Sequence, residues 1–381
     1  MRHPFAGART PRLLLLPLLA LLLTAGAWQV LPAPDFTEAF RRTRGWSGAD
    51  GTYSVPLPDG RTLWLFGDTF FGGVLPGGAR SPETWMARNS VALQPGREPR
   101  DLRFFAEPFF LERPGRHDEW FWPYHGVALD SEKVQVVLGR FQAVPRDDAF
   151  GFRQVGLDLA VLHLDPTPRT ESLTRVPHFR STPDSVTAWG NALIQDGPWV
   201  LIYGVRDSQA APGGKSLLLA RAPRGHLARF GTWRFFTGTG WSRDPEEAVG
   251  LAEDVSNELS VHRDPSGDWV LVSGPADLSS QVLLRTAPAP HGPWSPARNL
   301  LTAPEAADGV FAYNAKAHPS LSDPNGLLVS YNLNALDPER VLQEADLYRP
   351  RFIRVRRDAG RGCLPEPRRA GAIPELEGGP R

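Results

Sequence analysis

Residues 48–71 read GADGTYSVPLPDGRTLWLFGDTFF. A short apolar run, Tyr53–Leu57, is followed by the turn pair Asp59-Gly60 and then by a second apolar run, Thr62–Phe66, that ends on Gly67. Two apolar runs joined by a Gly-containing loop of this length are the mark of a β-hairpin. The same texture returns four more times. The second copy is His125–Leu129, turn Asp130-Ser131 and Val134–Leu138. The third is Asn191–Ile194, turn Asp196-Gly197 and Trp199–Tyr203. The fourth is Glu258–Val261, turn Asp264–Gly267 and Trp269–Ser273. The fifth is Pro319–Leu321, turn Asp323–Gly326 and Leu327–Tyr331. With Gly67, Gly139, Gly204, Gly274 and Tyr331 as markers, the steps are 72, 65, 70 and 57 residues. More strand-like sequence follows the hairpins, as in Ser216–Arg221 and Gln281–Thr286. The pattern predicts an all-β chain, a five-bladed β-propeller with short peripheral helices. The period exceeds the roughly 40–50 residues of small propeller repeats, so the excess must lie in loops. A β-sandwich is the alternative, but it calls for turn signals about every 8–12 residues.

Composition agrees. Gly (37) and Pro (38) fill 75 of 381 positions, well above an average of about 12%. They flank apolar runs, which disfavours a helical bundle. Helices are expected only at Asp35–Arg42, where Phe36 and Phe40 stand four apart, and at Pro338–Leu347, which has Pro at its first position. The last apolar run, Arg351–Val355, is expected to pair into the first blade and close the ring, hiding the sheet edges. Trp64, Trp199 and Trp269 fall within second strands and read as blade core.

The N-terminus carries Arg2, Arg9 and Arg12, then the apolar run Leu13–Leu23, then Ala25-Gly26-Ala27. This is the three-part pattern of a secretory signal, and it predicts cleavage near residue 27 with a secreted or periplasmic product. An uncleaved anchor, extended by Val30 and Leu31, is the alternative. Cleavage implies no stable membrane insertion. The expected domain runs from 28 to 357. Residues 358–381, rich in Gly, Pro, Arg and Glu, are expected to form a disordered tail.

Forty-two Lys and Arg balance forty-two Asp and Glu. A neutral chain lacks the basic stripe that nucleic-acid binding requires, so no nucleic-acid partner is expected. The single cysteine, Cys363, lies in the tail. That leaves no disulfide framework and no cysteine-based metal site. No cofactor motif is present: Gly213-Gly214-Lys215-Ser216 lacks the first half of a phosphate loop, and Gly45-Trp46-Ser47-Gly48 is not a nucleophile elbow. The expected cofactor and metal complement is none.

In a propeller, residues leading into the innermost strands gather at one mouth, and the end of each returning strand reaches the same mouth. Asp50 leads into the first strand of the first hairpin, and Asp68 ends the second. Two carboxylates flanking one pocket suit glycoside hydrolysis: one donates a proton to the leaving oxygen, the other attacks the anomeric carbon or activates water. Asp beside Gly is also ordinary turn chemistry, and spacing alone favours that reading; the propeller geometry brings the two readings level. The equivalent positions in the other hairpins are His125, Asn191, Glu258 and Asn314–His318, with Trp122, Tyr124, Trp189 and Tyr313 nearby. Polar groups for hydroxyls beside aromatic platforms for sugar faces suit a glycan-binding ring. The candidate substrate-binding residues are therefore His125, Asn191, Glu258, Trp122, Trp189, Tyr313, Asn314, Lys316 and His318. Glu258 is also a third carboxylate able to hold a catalytic partner, or a polar strand end. His125 and His318 read first as structural hydrogen-bonding groups, and Lys316 first as a solvated strand end.

Several of these stretches resemble one known family. They are Gly45–Asp50 with Tyr53-Ser54-Val55, Leu63–Phe71, Trp189-Gly190-Asn191-Ala192, Asn257–Val261, and Tyr313–Ser320 running on to Val329–Asn332. They are similar to a bacterial secreted five-bladed propeller family, formerly a domain of unknown function, that includes endo-D-arabinanases. The likeness covers about residues 40–357. It implies a glycosidase acting on arabinofuranosyl or related linkages in a polysaccharide, with catalytic aspartates matching Asp50 and Asp68. It does not assign acid and base, the sugar, or whether configuration is retained. A non-catalytic carbohydrate-binding propeller of the cell envelope is the alternative function. A structural envelope protein with a vestigial funnel is a further reading. The loops Phe70–Arg88 and Phe141–Gly156 carry no readable signature.

Overall fold

The computed structural model describes residues 28–106, 118–145, 151–208, 214–324 and 326–357. The expected signal segment and tail, with Cys363, lie outside the described residues. Alternating apolar residues form five antiparallel meanders. Sheet I contains Tyr53–Pro56, Thr62–Phe66, Ser90–Gln94 and Arg103–Phe105. Sheet II contains Glu119–Ala128, Lys133–Ala143, Phe152–His163 and Arg169–Arg175. Sheet III has Ser185–Asp196, Trp199–Ser208, Lys215–Pro223 and Arg234–Phe236, with three further two-residue strands. Sheet IV has Leu259–Arg263, Trp269–Ser273, Gln281–Ala287 and Arg298–Thr302. Sheet V has Val310–Ala317, Leu327–Ala335, Pro350–Arg357 and Trp28–Pro32. A small sixth sheet pairs Trp46–Ala49, Thr69–Phe71 and Trp85–Ala87. Two short α-helices complete the regular structure, α1 (Pro34–Ala39) and α2 (Pro338–Gln343).

The first strands of sheets I to V lie against one another in order. Hydrogen bonds from Ser54 to His318 (2.8 Å) and from Thr52 to Asn332 (3.3 Å) join sheet V back to sheet I. The apolar core is divided among the junctions. One cluster, including Leu63, Val134 and Leu162, lies between sheets I and II, and another, including Val137, Trp189 and Leu218, between II and III. Tyr203 and Leu271 belong to the cluster between III and IV, and Val272 and Val329 to the one between IV and V. Phe36 of α1 and Phe40, which caps its C-terminus, pack with Trp64 and Phe352 between V and I. Burying such side chains contributes about 1.5–3 kcal/mol each, so each sheet is held by its neighbours more than by its own hydrogen bonds.

Four expectations are corrected. The first strand of sheet V is Val310–Ala317, and Pro319–Leu321 is a 3-10 turn instead of a strand. The alternation of that strand is hidden by a bulge, because Tyr313 pairs with Asn332 and Lys316 with Ser330. Two strand residues there oppose one. The run at 351–355 pairs with Leu327–Ala335, not with sheet I, and the N-terminal strand Trp28–Pro32 adds to its outer side. A five-residue edge strand ending in Pro gives little sequence signal. Helix α2 stops at Gln343, and a 3-10 segment, Ala345–Tyr348, follows. Trp64 and Trp269 are buried in their sheets, whereas Trp199 is only half-buried, with Arg221 over its ring.

Candidate active site

Asp50 and Asp68 sit where the first hairpin passes from sheet I into the small sixth sheet. Ala49 pairs with Thr69, and Tyr53 with Leu65. Between these pairs the chain turns sharply: Gly51 and Thr52 both have left-handed backbone, at φ +79° and +51°. The turn is tied by the backbone. The Asp50 N–H donates to the Asp68 carbonyl at 3.2 Å, and the Gly67 and Thr52 N–H groups donate to the Asp50 carbonyl at 3.1 and 3.0 Å. Both carboxyls line one cavity of about 650 Å³, a size typical of small-molecule sites.

Their surroundings differ. Oδ2 of Asp50 accepts from the hydroxyls of Tyr313 and Tyr348, each at 2.9 Å. Burial, reinforced by the nearby Asp68 and Glu258 charges, pushes this carboxyl up to about 8, although both tyrosine hydrogen bonds act the other way. Oδ1 of Asp68 accepts from the Trp122 indole N–H at 2.9 Å, and Arg88 forms an ion pair with Oδ2 at 3.2 Å. Burial raises Asp68 too, opposed by Arg88 and Trp122. Near pH 7 this arrangement keeps a proton on Asp50, while a cation beside Asp68 favours its charge.

Glu258 lines the same cavity and pairs with Lys316 at 2.8 Å. Lys316 is 1% exposed, lies over the Tyr53 ring, and donates also to the Asn314 carbonyl at 2.9 Å and to the Gly51 carbonyl. Burial raises Glu258 and lowers Lys316, and each partly offsets the other. Lys316 is thus a buried strut between the turn at Gly51 and the bulge at Asn314, not a solvated strand end. It faces a second cavity of about 470 Å³, lined by the other halves of the first strands.

Of the other candidates, Trp122, Tyr313 and Asn314 line the first cavity. His125, Asn191, Trp189 and His318 do not line it, and His125 lines the second cavity instead. Trp189 is fully buried in the apolar layer between sheets II and III. His318 bridges Ser54 and Ser330 at 2.8 Å each. His125 accepts from the Leu193 N–H through Nδ1 at 2.9 Å and donates through Nε2 to the Ser54 carbonyl at 3.2 Å. Burial lowers both histidines, His125 to about 4 and His318 well below the ordinary value, so both are neutral struts. Asn191 is buried and donates to the Asn257 carbonyl at 2.5 Å. Bulges in the strands around Tyr124-His125 and Gly190-Asn191 rotate these side chains away from the positions that simple alternation assigns.

Sequence reasoning missed Arg88 and Tyr348. Arg88 follows Trp85–Ala87 in a loop without periodicity, and Tyr348 ends the 3-10 segment 298 positions from Asp50. Two of the unread loops contribute to the wall through Phe70, Met86, Phe141 and Phe152. Among the described residues, no three His, Cys, Asp or Glu side chains converge as metal ligands, and no helix is long and apolar enough to cross a membrane.

Residues 34–358 match the family described as "Domain of unknown function (DUF5005)". The chain belongs to that family. No curated protein sequence matches the chain. Its fold is similar to the crystal structure of a "putative hydrolase" from Bacteroides ovatus ATCC 8483. The two share 20% identity over 87% of this chain and 92% of the other, with a TM-score of 0.69. Weaker similarities are to an α-L-arabinofuranosidase from Lactobacillus brevis (11% identity, 81% and 90% covered, TM-score 0.46) and one from Podospora anserina in complex with cellotriose (11%, 82% and 92%, 0.43). At such scores these two carry no argument about this chain. The Bacteroides structure shares the fold of this chain, which is built from antiparallel sheets.

Proposed function

We propose that this protein is an exported glycoside hydrolase, a five-bladed β-propeller spanning residues 28–357 whose sheets I to V are the blades. It cleaves arabinofuranosyl or related linkages in a glycan, with Asp50 as the general acid and Asp68 as the nucleophile or water-activating base. The observation that carries the reading is the pairing of two carboxyls in one cavity with opposite surroundings. Asp50 is buried against two tyrosine hydroxyls, and Asp68 faces Arg88. Glycosidases divide acid and base between two carboxyls through such differences of environment. Glu258 supports the assignment, because its charge helps keep Asp50 protonated. Trp122 holds Asp68 by its indole N–H while its ring lines the cavity as a platform for a sugar face.

The test is release of new reducing ends from D-arabinan, L-arabinan and arabinogalactan by the purified protein. Asp50→Asn and Asp68→Asn are expected to lower the rate by about 10²–10⁴-fold each while the fold is kept. Turnover that survives both substitutions overturns the proposal. Glycan binding without product release, unaffected by Asp68→Ala, would establish the carbohydrate-binding propeller in its place.

A further inference from the structure

Among the described residues, nine large apolar side chains are exposed, and four of them line the cavity that holds Asp50 and Asp68. These are Met86 (44%), Leu278 (44%), Leu336 (58%) and Leu342 (43%). The cavity at the other end of the first strands is lined by one of the nine, Leu129. The four come from separate parts of the chain: the small sixth sheet, the turn after Trp269–Ser273, the end of Leu327–Ala335, and α2. Single exposed apolar residues are ordinary, but convergence of several on one concavity marks a binding surface.

The chemistry of the four narrows the occupant. A sugar stacks its apolar face on a flat aromatic ring. Met and Leu have no flat face, and a hydroxyl laid against them loses water without gaining a hydrogen bond. An alkyl chain fits them without that cost. We infer that the rim formed by Met86, Leu278, Leu336 and Leu342 receives an aliphatic chain carried by the substrate, so that an acylated or alkylated glycan is preferred over the bare polysaccharide. The inference rests on the glycosidase reading only for where the sugar sits, at Asp50 and Asp68. The four apolar side chains and the two carboxyls line one cavity.

The test compares octyl and methyl α-D-arabinofuranoside, with octyl β-D-glucoside as a third probe, by titration calorimetry on the full chain carrying Asp50→Asn. Each octyl glycoside is expected to bind at least about tenfold more tightly than the methyl compound, because several methylenes leave water. In Met86→Ser/Leu336→Ser that ratio is expected to fall to within about twofold. Leu278→Ser/Leu342→Ser serves as an independent pair, and all four side chains are exposed, so both variants are expected to keep the parent melting midpoint. Absence of octyl binding, an octyl-to-methyl ratio near one, or a ratio that persists in both double variants overturns the inference. Turnover of glycans by the unsubstituted protein without an octyl preference sinks the rim and upholds the glycosidase. An octyl preference without turnover on any glycan does the reverse.

Discussion

The backbone N–H of Asp50 donates to the carbonyl of Asp68 at 3.2 Å, so the two candidate catalytic carboxyls hang from a single hydrogen-bonded turn. The backbone fixes the spacing of the two residues, and the contacts with Tyr313, Tyr348, Trp122 and Arg88 hold the carboxyls themselves in place. Preorganisation of this kind is what acid and base chemistry on one bond requires. It also makes the pair sensitive to small changes in the turn.

The first prediction concerns pH. Asp50 titrates near 8 when folded and near its ordinary 3.8 when unfolded. The folded state holds this proton more tightly, so the stability it provides is full below about pH 3.8 and is lost as pH rises toward 8. Asp50→Asn removes that dependence. At pH 9 the variant is expected to melt at a higher temperature than the parent, and near pH 5 the gap should narrow. Equal melting differences at both pH values, in a thermal scan followed by circular dichroism, would show that Asp50 is not held protonated.

Activity should follow a bell-shaped profile whose alkaline limb belongs to Asp50. The Tyr313 and Tyr348 hydroxyls lower the Asp50 pKa. Removing either one is therefore expected to move the alkaline limb of kcat/KM to higher pH. Rate profiles of Tyr348→Phe and Tyr313→Phe provide the check, and a limb that stays in place in both would remove Asp50 from the acid role.

Gly67 is predicted to be required for activity. A Cβ there would stand 2.4 Å from Oδ1 of Asp50, a contact that forces the carboxyl to move. Its other oxygen is held by two tyrosines, so the displacement disrupts the site. Gly67→Ala should fold and lose about 10²-fold in kcat, the usual effect of misplacement by about 1 Å. A variant as active as the parent would show that the Asp50 geometry is not critical.

Lys316 is predicted to matter for stability. Lys316→Met strips the Glu258 carboxylate of its partner and leaves the Gly51 and Asn314 carbonyls without this donor. Breaking a buried pair on one side costs about 3–5 kcal/mol, and the partial exposure of Glu258 (22%) places the loss toward the lower end. Adding Glu258→Gln should recover part of it. Denaturant midpoints of the single and double variants test the coupling, and an additive double variant would refute it.

Asp50 and Asp68 were legible as a pair because a hairpin fixes the neighbours of its own ends, and the Asp-Gly and Gly-Asp signals lie within 24 residues of sequence. Tyr313 and Trp122 were legible as aromatics near the same mouth. His125 and His318 are assigned to the mouth by equivalence with Asp50 in the hairpin pattern and Trp189 by nearness to Asn191, but the strands start earlier than that pattern implies and carry bulges, so the equivalence fails. Tyr348 and Arg88 had no local signal, because a hydroxyl or guanidinium in irregular chain acquires a role only from what folds against it.

The amino-acid order alone determined the strand-and-turn texture, its recurrence along the chain, and the two carboxylates within one hairpin. These follow from side-chain alternation and turn chemistry, which act over a few residues. Tertiary structure alone decided which groups meet. It set Tyr348 on Asp50 and Lys316 on Glu258, seated the N-terminal strand on the C-terminal sheet, and brought Met86, Leu278, Leu336 and Leu342 to one rim. Contacts between residues hundreds of positions apart depend on how whole sheets pack. That packing is set by the sum of many apolar contacts at five junctions, which no single stretch of sequence encodes.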